Sequence, residues 1–128
     1  MRILIETVPH HKNRNDQVGD YRYLEDGTLY ITVSDLKDKS MESLVAIHEL
    51  WEVLTTEAKG ITEEEITDYD AYYEKKRAMG FVEPNTENGF ARDCIYKEQH
   101  TKATAIEMIL AAELGVDWVE YDKKVNSL

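Results

Sequence analysis

The sequence predicts an α+β fold, a small, mainly antiparallel three-stranded sheet followed by three to four helices. Two β-rich runs flank an Asp26-Gly27 pair, aliphatic residues alternate with polar ones up to Ser34, and from Ser40 onward apolar residues recur every three or four positions. Strands come first and helices afterwards, so the helices are expected to pack on one face of the sheet.

Taken in order, Arg2 to Val8 is a short β-rich run that ends at Pro9, and His10-His11-Lys12-Asn13-Arg14-Asn15-Asp16 reads as a polar loop. Tyr21–Glu25 and Thr28–Ser34 form a hairpin around Asp26-Gly27, a pair that readily takes the positive φ of two-residue turns. Leu29, Ile31 and Val33 alternate with Tyr30 and Thr32, which puts the aliphatic set on one sheet face. Between Ser40 and Lys59 the spacing of Leu44, Ile47, Trp51, Leu54 and Ala58 predicts a first helix, stopped by Gly60. Thr62 with Glu65 is a capping-box pattern that opens a second helix through Ile66, Tyr69 and Tyr73, ending near Gly80. Pro84 to Gly89 is a loop. Ala91 to Leu114 carries Ile95, Ala103, Ile106, Leu110 and Leu114 at helical spacing, and Gly115 ends this third helix. Asp117 with Glu120 caps a last short helix through Tyr121 and Val125. Neither a repeat nor a linker interrupts the chain, so residues 1–128 read as one domain.

Composition narrows the function. Acidic residues number 26 against 15 basic ones, a net charge of -11 that repels phosphate backbones and anionic lipid heads, so direct nucleic-acid and membrane partners are not expected. Cys94 is the only cysteine, which excludes an intrachain disulfide and fits a reducing compartment. The start lacks a signal-peptide apolar stretch, and no apolar run has membrane-spanning length, so a cytoplasmic location is expected.

The chemistry-bearing stretch is His48-Glu49-Leu50-Trp51-Glu52, in the middle of the first helix. Residues four apart share a helix face, so His48 and Glu52 can offer a nitrogen and an oxygen to one metal ion, as the two histidines of a HExxH helix do. Glu49 points about 100° away and occupies the position of the general base in such helices. On the wheel His48 sits beside Leu44 and Trp51, and Glu52 falls between Met41 and Val45, where an ionised carboxylate needs a partner. Asp70 lies on the inward side of the second helix, and His100 and Glu107 share a face of the third. If the helices pack by their apolar stripes, His48, Glu52, Asp70 and His100 converge as a nitrogen and oxygen set suited to zinc, iron or manganese. Glu107 is then a fifth ligand or the acceptor that orients His100. His10 and His11 read as loop residues without a role, Cys94 as an inert thiol, and Tyr69, Tyr72, Tyr73 and Tyr96 as core and core-edge residues.

Val18-Gly19-Asp20-Tyr21, Asp26 through Ser34, Ala46 through Glu52, Glu98-Gln99-His100 and Leu114 through Trp118 together resemble a group of small phage or prophage proteins. The chain also looks like a minimal zincin, a short sheet before a metal-binding helix. That resemblance implies a metal site at His48, Glu52 and His100, with Glu49 as base. It departs from the zincin pattern at Glu52, which stands where the second histidine would be.

Three functions follow as expectations. The first is a zincin-like, metal-dependent hydrolase with zinc as the leading divalent metal, His48, Glu52 and His100 as ligands, Asp70 completing or supporting the set, and Glu49 as general base. The second keeps the metal as a closed structural staple between helices. The third is an acidic interaction protein whose surface imitates nucleic acid and blocks a basic partner.

Overall fold

The computed structural model describes residues Met1–Leu128. Three strands, β1 (Ile3–Val8), β2 (Gly19–Tyr23) and β3 (Leu29–Ser34), precede four α-helices. These are α1 (Lys39–Ala58), α2 (Glu63–Ala78), α3 (Lys97–Leu114) and α4 (Trp118–Asn126). The architecture is therefore a small α+β fold. Its sheet is mixed where the sequence suggested mainly antiparallel pairing: the order is β1-β3-β2, with β2 antiparallel and β1 parallel to β3. The cause is the connection over positions 9–18, which steps across the end of β3 so that β1 and β2 flank it. Buried Asn13 pins that crossing, donating from Nδ2 to Ser34 Oγ (3.0 Å) and the Val18 carbonyl (3.1 Å) and accepting from Thr32 Oγ1 (2.7 Å).

The hairpin forms at the expected place with a longer connection. Gly27 N–H donates to the Leu24 carbonyl and Leu24 N–H to the Thr28 carbonyl, both at 2.9 Å. Glu25, Asp26 and Gly27 thus form the loop, with Gly27 at φ 86°. Leu29, Ile31 and Val33 all lie on the covered face. They join Leu36, Leu44, Val45, Val53, Ala111 and Tyr121 in the main core. Leu44 is wholly inaccessible, and Leu44→Ala is expected to lower unfolding free energy by about 3 kcal/mol, measured by urea denaturation.

The first helix is rotated relative to the expected stripe. Its buried side carries Leu44, Val45, Glu52, Val53 and Thr56, while Leu54 is exposed. The polar members are tolerated inside because each has partners: Thr56 Oγ1 donates to the Glu52 carbonyl at 2.8 Å, and Glu52 is met by two histidines. Helix α3 starts at Lys97, six positions beyond the expected Ala91, after a single 3-10 turn over Asn88–Phe90. Its inward side is Gln99, His100, Ala103, Glu107 and Ala111, and Ile95 and Leu114 are exposed. Small alanines at this contact let α1 and α3 approach closely enough for side chains from both to share one site.

Caps formed as expected at Thr62, which accepts from Glu65 N–H at 3.1 Å, and at Asp117, which accepts from Glu120 N–H at 2.9 Å. Inward residues of α2 build a second cluster, Ile66, Tyr69 and Tyr73 with Cys94 and Tyr96. No helix is long and apolar enough to cross a membrane.

Candidate metal centre

Helix α1 supplies His48, Glu49 and Glu52, one turn of a helix held rigid by the core below it. Helix α3 brings His100 from its first turn and Glu107 from two turns further on. His48 Nε2, His100 Nδ1 and Glu52 Oε2 converge: the nitrogens stand 3.2 Å apart, and each approaches the same carboxylate oxygen, at 3.1 Å from His48 and 3.0 Å from His100. Ligand atoms bound to zinc at about 2.0–2.1 Å in tetrahedral geometry stand about 3.3 Å apart. The three donors thus have the spacing of one face of a metal's coordination tetrahedron, and these residues form a group able to hold a metal ion.

The outer atoms of both imidazoles are also engaged. His48 Nδ1 meets Glu107 Oε1 at 2.8 Å, and His100 Nε2 meets Glu87 Oε2 at 2.9 Å. Glu107 is itself held by the Tyr121 hydroxyl, which donates to Oε2. Metal-binding histidines characteristically donate their far N–H to such an acceptor, which fixes the tautomer and aims the near nitrogen.

Electrostatics follow from this packing. Burial opposes charge on His48, but hydrogen bonds to Glu107 and Glu52 outweigh it and hold the imidazole pKa well above its ordinary value. Burial likewise opposes charge on His100, yet Glu52 and Glu87 raise it to about 9. Glu52 resists protonation, since the bonds from His100 and His48 overcome its burial and lower it. Both imidazoles thus lie at ion-pairing distance from Glu52, with Glu107 beside His48 and Glu87 beside His100.

Glu49 differs from the others. It lines the same cleft, half-buried, where desolvation and the charge of Glu52 raise its pKa to about 8. Its side chain rests on Gly19 of β2 so closely that a Cβ there would fall 2.6 Å from Glu49 Cγ and Oε1.

Of the sequence candidates, the structure brings His48, Glu52 and His100 together. Glu107 lies behind His48, its Oε1 2.8 Å from Nδ1 and outside the three-residue group, whereas the sequence suggests a fifth ligand or the acceptor that orients His100. Asp70 is outside the three-residue group: its Oδ1 accepts from Tyr96 Oη at 2.6 Å and from Asn88 Nδ2 at 2.7 Å, which fastens α2 to the start of α3. Burial raises the Asp70 pKa against the hydrogen bond from Tyr96. His10 is a structural loop residue, its Nδ1 2.8 Å from Ser34 Oγ.

Sequence reasoning missed Glu87, Tyr121, Gly19 and Gly89. The last is buried, and a Cβ on it would meet the His100 ring at 2.3–2.5 Å. Nothing local marks these residues, because each acts across a long-range contact. Comparison with protein-family models, curated proteins and solved structures finds no match.

Proposed function

We propose that this cleft holds a divalent transition-metal ion, zinc first, and that the protein is a small zincin-like, metal-dependent hydrolase of the phage type that its sequence resembles. The convergence of His48 Nε2, His100 Nδ1 and Glu52 Oε2 carries this reading, since it presents two nitrogens and one oxygen at tetrahedral spacing with both far ring atoms already held. A three-residue ligand set lining a cleft of about 240 Å³ would leave room for a water or substrate on the ion, which favours catalysis over a closed structural staple.

A divalent ion held by His48, Glu52 and His100 would supply Lewis-acid polarisation of the substrate. Glu49, whose carboxyl burial and Glu52 make basic, would take the proton of the attacking water in its ionised form, which the charge of a bound cation favours, and return it to the leaving group. Glu107 and Glu87 keep the two imidazoles aimed, and Tyr121 holds Glu107. A reducing, cytoplasmic setting agrees with a single buried thiol, Cys94, whose pKa burial raises to about 11.

The test is elemental analysis of protein purified without a metal-affinity tag, followed by zinc titration and an ester and amide hydrolysis screen of wild type and Glu49→Gln. Expected are about one ion per chain and a variant that retains the ion but loses turnover by about a hundredfold or more, the range a general base contributes. Failure of wild type to bind zinc, iron or manganese overturns the metal site. Equal turnover in Glu49→Gln removes the base.

A further inference from the structure

The walls of the cleft restrict what it can receive. Val18 C=O accepts from Ser34 N–H, so residues 18, 20 and 22 of this edge pair with β3, and Gly19, Tyr21 and Tyr23 turn their main-chain groups outward. An incoming extended chain would pair with those outward groups, the usual way in which a strand edge recruits a peptide. At Tyr21, in the middle of the strand, both are already taken. Its N–H donates to Asp20 Oδ1 and its carbonyl accepts from Arg14 Nη2, each at 2.9 Å. Arg14 is in turn clamped on Asp20 by two charge-assisted bonds of 2.7 and 2.9 Å. The edge beside the site is therefore blunted against strand addition.

The cleft's charge supplies the second restriction. Its lining contains eight carboxyl groups and a single guanidinium, Arg14. With a divalent ion bound, eight carboxyl groups still face only the ion and Arg14. Arg14 is committed to Asp20, Asp70 to Tyr96 and Asn88, and Glu87 and Glu107 to the histidines. Glu63 and Asp122 also line the cleft and enter no ion pair, which leaves two carboxylates for a ligand. The volume of about 240 Å³ lies near the lower bound for small-molecule sites.

We infer that the ligand of this site is a small cationic molecule, such as a compound bearing a protonated amine, and not an extended polypeptide. The inference rests on the metal-site reading, because the ion would anchor one end of the ligand while the negative field of the cleft, to which the unpaired Glu63 and Asp122 contribute, favours a positive charge on the rest.

The experiment uses full-length protein loaded with cobalt(II), whose visible absorption reports the coordination sphere. Four hydroxamates serve as probes, each chelating through its two oxygens: 4-aminobutanohydroxamate (cationic), butanohydroxamate (neutral), succinate monohydroxamate (anionic) and a neutral hexapeptide hydroxamate. The cationic probe is expected to bind about tenfold tighter than the neutral one at moderate ionic strength, with the anionic probe weakest and the hexapeptide within about threefold of butanohydroxamate. Glu63→Gln/Asp122→Asn should cut the cationic preference, while Asp68→Asn/Glu113→Gln, which removes the same charge from exposed positions outside the cleft, should keep it. Three results overturn the inference alone: an anionic probe as tight as the neutral one, equal loss of preference in both double variants, or a hexapeptide bound more than about tenfold tighter than butanohydroxamate. Absence of any cobalt(II) spectrum overturns the metal site, and this inference with it.

Discussion

Chelation of the metal-loaded protein is expected to lower its Tm by about 10 °C, and His48→Ala or His100→Ala to abolish that sensitivity. A ligand held only by the folded state, present at a hundred times its Kd, stabilises by about 2.7 kcal/mol. For a chain of this length each kcal/mol moves Tm by about 4 °C. Each histidine supplies one of three converging donors, so either substitution breaks the same site and the double variant should show little metal-dependent loss beyond either single one. Differential scanning calorimetry with and without chelator checks this. Indifference to chelator combined with Tm rising steeply with salt would instead mark self-repulsion among the 26 acidic residues as dominant and favour the acidic interaction protein.

A pH series sharpens the same experiment. In the metal-free chain both imidazole pKa values are raised, His100 to about 9. The stability of their ion pairs is therefore fully present below the unfolded-state value of about 6.5, and is lost as pH rises through about 9. Metal binding has the opposite dependence, since His48 Nε2 and His100 Nδ1 must each shed a proton to become ligands. Near neutral pH, calorimetric titration in buffers of different ionisation enthalpy should show about two protons released per ion. The stabilisation conferred by metal should grow with pH over the interval in which the metal-free protein weakens.

How far the sequence reveals this site depends on the range of each contact. Leu29, Ile31 and Val33 are legible because strand periodicity is local, and Thr62 and Asp117 because a cap reaches only three residues ahead. His48 and Glu52 belong to the same class, since one helical turn places them together wherever the helix lies. His100 was identifiable only as a polar residue on an inward helix edge. The orientation of α1 differs because apolar periodicity assigns Leu54 and Ala58 to the core. The partner that Glu52 needs comes from α3, so the buried side turns toward the polar residues. The mixed sheet and the roles of Glu87 and Tyr121 are matters of tertiary path, on which periodicity is silent.

Gly89→Ala is expected to weaken metal binding by about two orders of magnitude, as large an effect as losing the acceptor behind a ligand, although residue 89 donates nothing to the ion. A Cβ at this position would lie 2.3–2.5 Å from Cγ, Cδ2 and Nδ1 of His100. The obstructed atoms belong to a rigid ring with no flexible end to swing aside. The ring cannot tilt freely, since Nδ1 faces Glu52, Nε2 faces Glu87 and the Phe90 ring packs edge-on at 4.6 Å. Either the imidazole or the Asn88–Phe90 turn must therefore shift, and a displacement of about an ångström is enough to spoil ligand geometry. Overpacking of this kind also costs about 1–3 kcal/mol of stability, so far-UV circular dichroism and a denaturation midpoint accompany the titration to establish that the variant is folded. Gly80→Ala is the control: it strains a backbone with φ 79° but meets no atom within 4 Å, and should lose stability without losing affinity. A folded Gly89→Ala protein with wild-type zinc affinity would show that His100 is not held against this turn, and would remove it from the ligand set as placed.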